Sequence, residues 1–165
     1  MSKQSQWRDK YKRLHVNIDK YIDDTGFWVR LKNYQTMLKD MQSVNTEDLP
    51  PQMQSGPLKE LRERGILTMN ALVNNYIKQA HFFKLTSEEL GYRFKMDSVA
   101  VQNEIDKMIN EANIILAGYE KITKHSETLL GITDENTTTQ EQNTPPKNDT
   151  EENDFQKVFS RPNKQ

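Results

Sequence analysis

A run of apolar residues with helical spacing constrains the fold more than any other feature of this sequence. From Val101 to Ile122, apolar residues recur alternately at four and three positions through three heptads. This spacing places them along one side of a helix. We therefore predict a long helix from about Ser98 to Leu130. It packs either against other helices of the same chain or against another copy in a coiled coil. The members of the stripe are Val101, Ile105, Met108, Ala112, Ile115, Tyr119 and Ile122.

The N-terminal segment, residues 1–45, has a second stripe of the same kind. The sequence Asp23-Asp24-Thr25-Gly26 interrupts it, and the pattern resumes from Trp28 to Met41. Because glycine often ends a helix, this segment is predicted to be either a helical hairpin or a single kinked helix. The first part of the stripe consists of Trp7, Tyr11, Leu14, Ile18 and Tyr21.

Residues 46–57 are predicted to be a linker, because the pair Pro50-Pro51 excludes helix there. The helical core is predicted over residues 58–130. It begins with a short helix from Pro57 to Arg64 that Gly65 ends, followed by a helix from about Thr68 to His81. No segment shows the alternation of apolar and polar residues that is typical of a strand, so the fold class is all-α.

Residues 131–165 differ in composition from the rest of the chain. They contain only four hydrophobic residues, Ile132, Phe155, Val158 and Phe159, and the stretch from Thr133 to Asp154 has none. A segment without apolar residues cannot offset the entropy of ordering, so we predict a disordered acidic tail. The apolar triplet after it, in residues 155–165, is interpreted either as a linear motif that binds a partner or as a chance cluster.

The formal net charge of −1 conceals a segregation of charge along the chain. Residues 1–39 carry nine basic and four acidic residues, whereas Thr133–Asp154 carries seven acidic residues and one lysine, Lys147. A near-neutral average therefore does not exclude a nucleic-acid partner. The basic head is either a phosphate-binding surface or the solvated face of an amphipathic helix. Its candidate DNA-binding residues are Lys3, Arg8, Lys10, Lys12 and Arg13.

The segment Thr86–Met108 has the order of features that a helix-turn-helix requires. Thr86 and Glu89 can form a capping box, and Leu90 and Phe94 are the inward residues of the first helix. Gly91 is expected at the crossing with the second helix, after a turn over Lys95–Ser98 in which Asp97 or Ser98 caps that helix. The residues Val101, Ile105 and Met108 are its buried side.

This segment resembles the helix-turn-helix of DNA-binding proteins over 23 residues. The resemblance implies DNA binding by Gln102 and Asn103, whose amides can pair with adenine edges, and by Arg93 and Lys95 on the phosphates. Lys95 stands where such turns usually have glycine. The alternative interpretation is a helical corner that binds nothing. A DNA affinity is expected to depend on residues 1–39 and on salt.

The architecture as a whole is similar to that of phage small terminase subunits. A further, weaker likeness to these proteins lies around Pro57–Phe94. That likeness implies an oligomeric protein that binds double-stranded DNA and recruits a large packaging ATPase through its C-terminal segment. The expected partner-binding residues are Phe155, Val158, Phe159 and Arg161. The alternatives are a dimeric DNA-binding regulator of transcription or replication, and a virion assembly protein without DNA binding.

Enzymatic function is not expected, because no nucleotide-binding or nucleophile motif is present in the sequence. Zero cysteine and three scattered histidines predict neither a metal site nor a cofactor. No apolar run approaches the roughly 20 residues that span a bilayer. The expectation is a cytoplasmic protein, in the host cytoplasm if it is viral, with no membrane partner.

Overall fold

The computed structural model describes residues 2–131, which contain five α-helices and no strand, so the predicted all-α class is confirmed. Two short 3-10 turns occupy the linker, at Thr46–Asp48 and Pro51–Met53. The candidate partner-binding residues and the predicted disordered tail lie outside the described residues. The helices are α1 (Lys3–Thr25), α2 (Phe27–Ser43), α3 (Gly56–Phe83), α4 (Ser87–Arg93) and α5 (Ser98–Leu130).

Gly26 separates α1 from α2. Its φ of 62° and ψ of 42° lie in the left-handed region, which glycine adopts without steric cost. Its N–H is directed at the carbonyl oxygens of Ile22 and Asp23 and so closes α1, and the next helix starts one residue later. The interruption that the sequence predicted is therefore present as a one-residue break between two helices.

The predicted break at Gly65 is wrong, because α3 continues through this residue without interruption. Gly65 is buried where α3 meets α2 and α5. A β-carbon at this position would lie 3.8 Å from side-chain atoms of Met41, Tyr119 and Ile122. The packing of two neighbouring helices thus keeps the backbone helical at a residue that has low helix propensity by itself.

Two clusters of buried side chains hold the helices together. The central core joins α2, α3 and α5, and the corner core joins α1, α4, the end of α3 and the start of α5. The central core consists of Phe27, Tyr34, Met69, Leu72, Val73, Tyr76, Ala80, Ala112 and Tyr119. The corner core consists of Trp7, Leu14, Ile18, Phe82, Leu90, Val101, Ile105 and Met108.

The apolar stripe of α5 is distributed over these two cores. Val101, Ile105 and Met108 are buried in the corner core, and Ala112 and Tyr119 are buried in the central core. The stripe thus packs against helices of the same chain, which is one of the two arrangements that its heptad pattern allowed. A homo-oligomer would have to use other surfaces.

Candidate nucleic-acid interface

The first helix of the predicted helix-turn-helix begins with a complete capping box, so that prediction is confirmed. The backbone N–H of Glu89 donates to Thr86 Oγ1 over 3.1 Å, and the N–H of Thr86 donates to Glu89 Oε1 over 2.8 Å. Two backbone donors that a helix start leaves unpaired are thereby satisfied. This is what allows a helix of only seven residues to start at a fixed point of the chain.

The turn after α4 contains two consecutive residues in the left-handed region, Lys95 with φ 52° and Met96 with φ 60°. The Met96 N–H donates to the Gly91 carbonyl over 2.8 Å, which closes the turn. Asp97 then caps α5, since its Oδ1 accepts from the N–H groups of Val99 and Ala100. The side chain of Lys95 is exposed, and its backbone has the conformation for which glycine is preferred.

The expectation that Gly91 faces the second helix of the corner is wrong. A β-carbon on Gly91 would lie 3.2 Å from Nε1 of Trp7, which belongs to α1. That same Nε1 donates to the carbonyl oxygen of Ser87 over 3.1 Å. The small residue therefore serves the packing of α1 on α4, and α1 becomes the third helix of the corner.

The outward side of the corner presents Arg93, Lys95 and Asn103, which are all exposed. Gln102 is half-buried, and its Nε2 donates to Asp106 Oδ1 over 2.9 Å. The exposed amide of Asn103 can therefore bind a base edge, whereas the amide of Gln102 must first break its hydrogen bond to Asp106. The segment Thr86–Met108 contains five acidic and three basic residues, so its net negative charge does not favour the binding of phosphate.

The basic residues of α1 are all exposed, but they do not form one surface. At about 100° per residue, Arg8 and Lys12 share one flank of the helix, and Lys10 and Arg13 share another flank that is turned away from it. Lys3 lies one heptad before Lys10 and is on the second flank.

Of these residues, Arg8 is the one that contacts the corner region. It lines a small cleft of about 120 Å³ between α1 and α4. Burial and the nearby carboxylates of Glu88 and Asp19 raise the pKa of Tyr11, which shows that acidic groups lie close to this flank. The other lining residues are Gln4, Trp7, Ser87, Glu88, Gly91 and Met96.

The basic candidates have no internal partner within the described part of the chain. Across residues 2–131, ion pairs join His15 to Asp19, Lys20 to Asp24 and Lys59 to Glu63, and none of the basic candidates takes part. Their cations are available to an external anion. The basic candidates are Lys3, Arg8, Lys10, Lys12, Arg13, Arg93 and Lys95.

A second basic surface was missed by the sequence predictions. Trp28, Lys32 and Lys39 lie at i, i+4 and i+11 on one flank of α2, and all three are exposed. The ammonium of Lys84, just after α3, lies 5.3 Å from the centre of the Trp28 ring. We call these four residues the α2–α3 basic face. The spacing within α2 was visible in the sequence, but only the fold adds Lys84.

Among residues 2–131, none of the helices is both long enough and apolar enough to cross a bilayer. Within the same range, no group of three histidine, aspartate or glutamate side chains is placed to hold a metal ion.

Comparison of the chain with protein-family models, curated proteins and solved structures found no match.

Proposed function

We propose that this protein is a non-enzymatic DNA-binding protein that uses the corner of α1, α4 and α5. The observation that carries the proposal is the tight turn between α4 and α5, with the exposed Arg93 and Lys95 before α5 and the exposed Asn103 within it. In this arrangement Arg93, Lys95 and, from α1, Arg8 and Lys12 contact phosphates. Asn103 contacts a base edge in the major groove.

The biological role that we propose is that of a phage small terminase subunit. The chain forms a homo-oligomer on DNA in the host cytoplasm, and its C-terminal residues Phe155–Arg161 recruit a large ATPase that performs the chemistry. A DNA-binding regulator is the alternative within the same class. The mass in solution separates the two, because a ring of many subunits supports the packaging role and a dimer supports the regulator.

The corner predicts a specific dependence of DNA affinity on salt. Each phosphate contact adds about −0.9 to the slope of log affinity against log salt concentration. With the four contacts above, affinity for duplex DNA should fall about 10²-fold between about 50 mM and about 200 mM salt. Absence of binding even at the lower concentration would exclude both DNA-binding roles.

A pair of substitutions tests whether the corner itself is the contact. Arg93→Gln with Lys95→Gln should weaken binding and reduce the salt slope by about 2. The matched control is Lys121→Gln with Lys124→Gln, which removes two exposed cations from the far end of α5. Equal losses in the two variants would mean a general charge effect and would contradict binding at the corner.

A second candidate function is supported by the apolar residues on the corner. Tyr92 is 82% exposed and Val99 is 66% exposed, and the acidic residues Asp97 and Asp106 are exposed in the same helical corner. Such a surface suits a protein partner and corresponds to the assembly protein without DNA binding. Tyr92→Ala with Val99→Ala should then abolish copurification of that partner while leaving any DNA affinity unchanged.

A further inference from the structure

The α2–α3 basic face contains no carboxylate along its row on α2. The exposed residues at successive turns of this flank are Trp28, Lys32, Gln35, Lys39 and Gln42. The one acid of α2, Asp40, is turned away from Lys39 by about 100°. On the facing helix, the carboxylate of Glu63 is paired with Lys59 over 2.9 Å. The three lysines of the face are exposed, and none of them takes part in an ion pair among residues 2–131.

The basic residues of α1 contrast with this face. Asp9, Asp19, Asp23 and Asp24 are interspersed among them, and the first flank also lies beside Glu88. Because like and unlike charges alternate there, an extended anion gains less by lying along α1 than along the row on α2.

The chain itself provides an anionic segment, which lies outside the residues that the structure describes. Residues 149–154 contain four of the seven acids of the C-terminal segment and are followed by Phe155, Val158 and Phe159. Acidic residues next to aromatic ones complement lysines next to an exposed indole, through ion pairs and through contact of apolar groups with the ring.

The segment between Gly131 and Asp149 is long enough to reach the end of α2 that carries Lys39. The end of α2 lies beside the last third of α5, since the hydroxyl of Tyr119 is 3.9 Å from the sulfur of Met41. From there, α5 extends about 18 Å to Gly131, at about 1.5 Å per residue. A random-coil segment of the roughly 18 residues that separate Gly131 from Asp149 has an r.m.s. reach of about 23 Å. Trp28 and Lys84 lie at the end of α2 away from Met41, about 20 Å further, a distance that the six residues from Asp149 to Phe155 can span when extended at about 3.3 Å each.

We propose that the acidic and aromatic segment, residues 149–159, binds in cis to the α2–α3 basic face formed by Trp28, Lys32, Lys39 and Lys84. Its acids pair with the lysines, and its phenylalanines contact the indole of Trp28. The contact covers the three exposed lysines of this face and holds the C-terminal motif until a partner displaces it. This proposal does not depend on DNA binding at the corner.

The absence of cysteine makes a direct test possible in the full chain. Ser160→Cys carries a nitroxide spin label, and the amide signals of the isotope-labelled protein are compared before and after reduction of the label. We expect the largest, several-fold loss of signal at residues 28–39 and 84. The loss should disappear at about 1 M salt, where the Debye length is about 3 Å, and be full at about 0.1 M.

Charge variants in the same labelled chain decide the contact partners. Lys32→Glu with Lys39→Glu, and separately Asp149→Asn with Glu151→Gln, Glu152→Gln and Asp154→Asn, should each remove the broadening. The matched control, Lys121→Glu with Lys124→Glu, should retain it. Amide spectra confirm that each variant is folded.

Three results would overturn the proposal. The first is broadening centred on α1, on α5 or spread evenly over the surface. The second is broadening that survives the exchange of Lys32 and Lys39. The third is broadening of the same size in a mixture of isotope-labelled chains without the spin label and spin-labelled chains without the isotope, since the segment would then bind to a second copy. Loss of DNA affinity in the Arg93 and Lys95 variant affects none of these results.

Discussion

The central core and the corner core share α3 and α5 but are stabilised differently. In the central core, Phe27 stacks on Tyr76 with ring centroids 5.1 Å apart, and Tyr34 meets Tyr76 edge-on at 5.2 Å. The corner core depends on a helix of seven residues, and its turn holds Lys95 and Met96 in the left-handed region. We therefore expect the central core to resist local opening more than the corner, which holds two non-glycine residues at positive φ beside exposed polar residues.

A chain of buried polar side chains lies at the boundary of the two cores. Gln79 donates to Asn75 over 2.6 Å, Asn75 donates to the carbonyl of Met108 over 3.2 Å, and Tyr21 donates to Gln79 over 3.3 Å. Satisfied polar groups in a core fix the register of the helices that carry them. The link connects α1, α3 and α5, so the two cores cannot slide past each other without leaving buried groups unpaired.

The largest expected effect tests whether the two cores differ in stability. Leu72 in the central core and Leu90 in the corner core are 0% and 1% exposed, which makes them a matched pair. Leu72→Ala should reduce the free energy of unfolding by about 3 kcal/mol, because a cavity remains in rigid surroundings. Leu90→Ala should cost less, because the short α4 can adjust or open locally.

Urea unfolding and amide hydrogen exchange measure the two parts of this prediction. In the Leu90→Ala variant, exchange should accelerate in α4 while the amides of α3 around Leu72 remain protected. Equal losses of global stability, with no local acceleration, would mean that the two cores form one cooperative unit.

The next effect concerns the contact between α1 and the corner. Gly91→Ala should cost about 2 kcal/mol, because the new methyl group would press on the Trp7 ring, 3.2 Å from Nε1. Displacement of the ring also weakens its hydrogen bond to Ser87. Urea unfolding followed by tryptophan fluorescence measures both consequences. The control is Gly118→Ala, where a β-carbon meets nothing within 4 Å, and it should stabilise by about 0.5–1 kcal/mol. Similar results at the two glycines would contradict the packing of α1 on α4.

Alkaline pH should destabilise the central core, to which Tyr34 and Tyr119 belong and against which Tyr21 packs. Burial raises the pKa of Tyr21, Tyr34 and Tyr119 above the ordinary value of 10.0. Since the folded state favours the neutral phenols, their contribution is fully present below pH 10 and is lost as pH rises above it. Each phenol lowers the stability by about 1.4 kcal/mol per pH unit in this range.

Tyr119→Phe measures the share of Tyr119 in this alkaline effect. Urea midpoints between pH 9 and pH 11 should fall less steeply in the variant than in the parent chain, because burial raises the pKa of the Tyr119 phenol. Parallel pH profiles would show that Tyr119 ionises equally in the folded and unfolded states.

Much of the fold could be predicted from the sequence, and the failures have one physical cause. The stripe of α5, the capping box at Thr86 and the break at Gly26 depend on residues close together in the chain, and they were predicted. Helix propensity, which is local, predicts a helix end at Gly65, whereas packing against Met41 and Tyr119, which are distant in sequence, keeps the backbone helical there. The roles of Gly91 and Lys84 also depend on contacts between helices, so periodicity could not predict them.

The smallest expected effect separates strain from charge at the turn of the corner. Lys95→Gly should stabilise the protein by about 1 kcal/mol, because glycine adopts the left-handed φ of 52° without steric cost. Lys95→Gln removes the same charge but keeps the strain, so its stability should match the parent chain. If Lys95 contacts phosphate as we propose, both variants should lose the same DNA affinity, and the salt slope should fall by about 1 in each. Urea unfolding and DNA titration at two salt concentrations measure the two quantities separately. A glycine variant that is more stable yet binds DNA as tightly as the parent would mean that the strain at this turn is unrelated to phosphate contact.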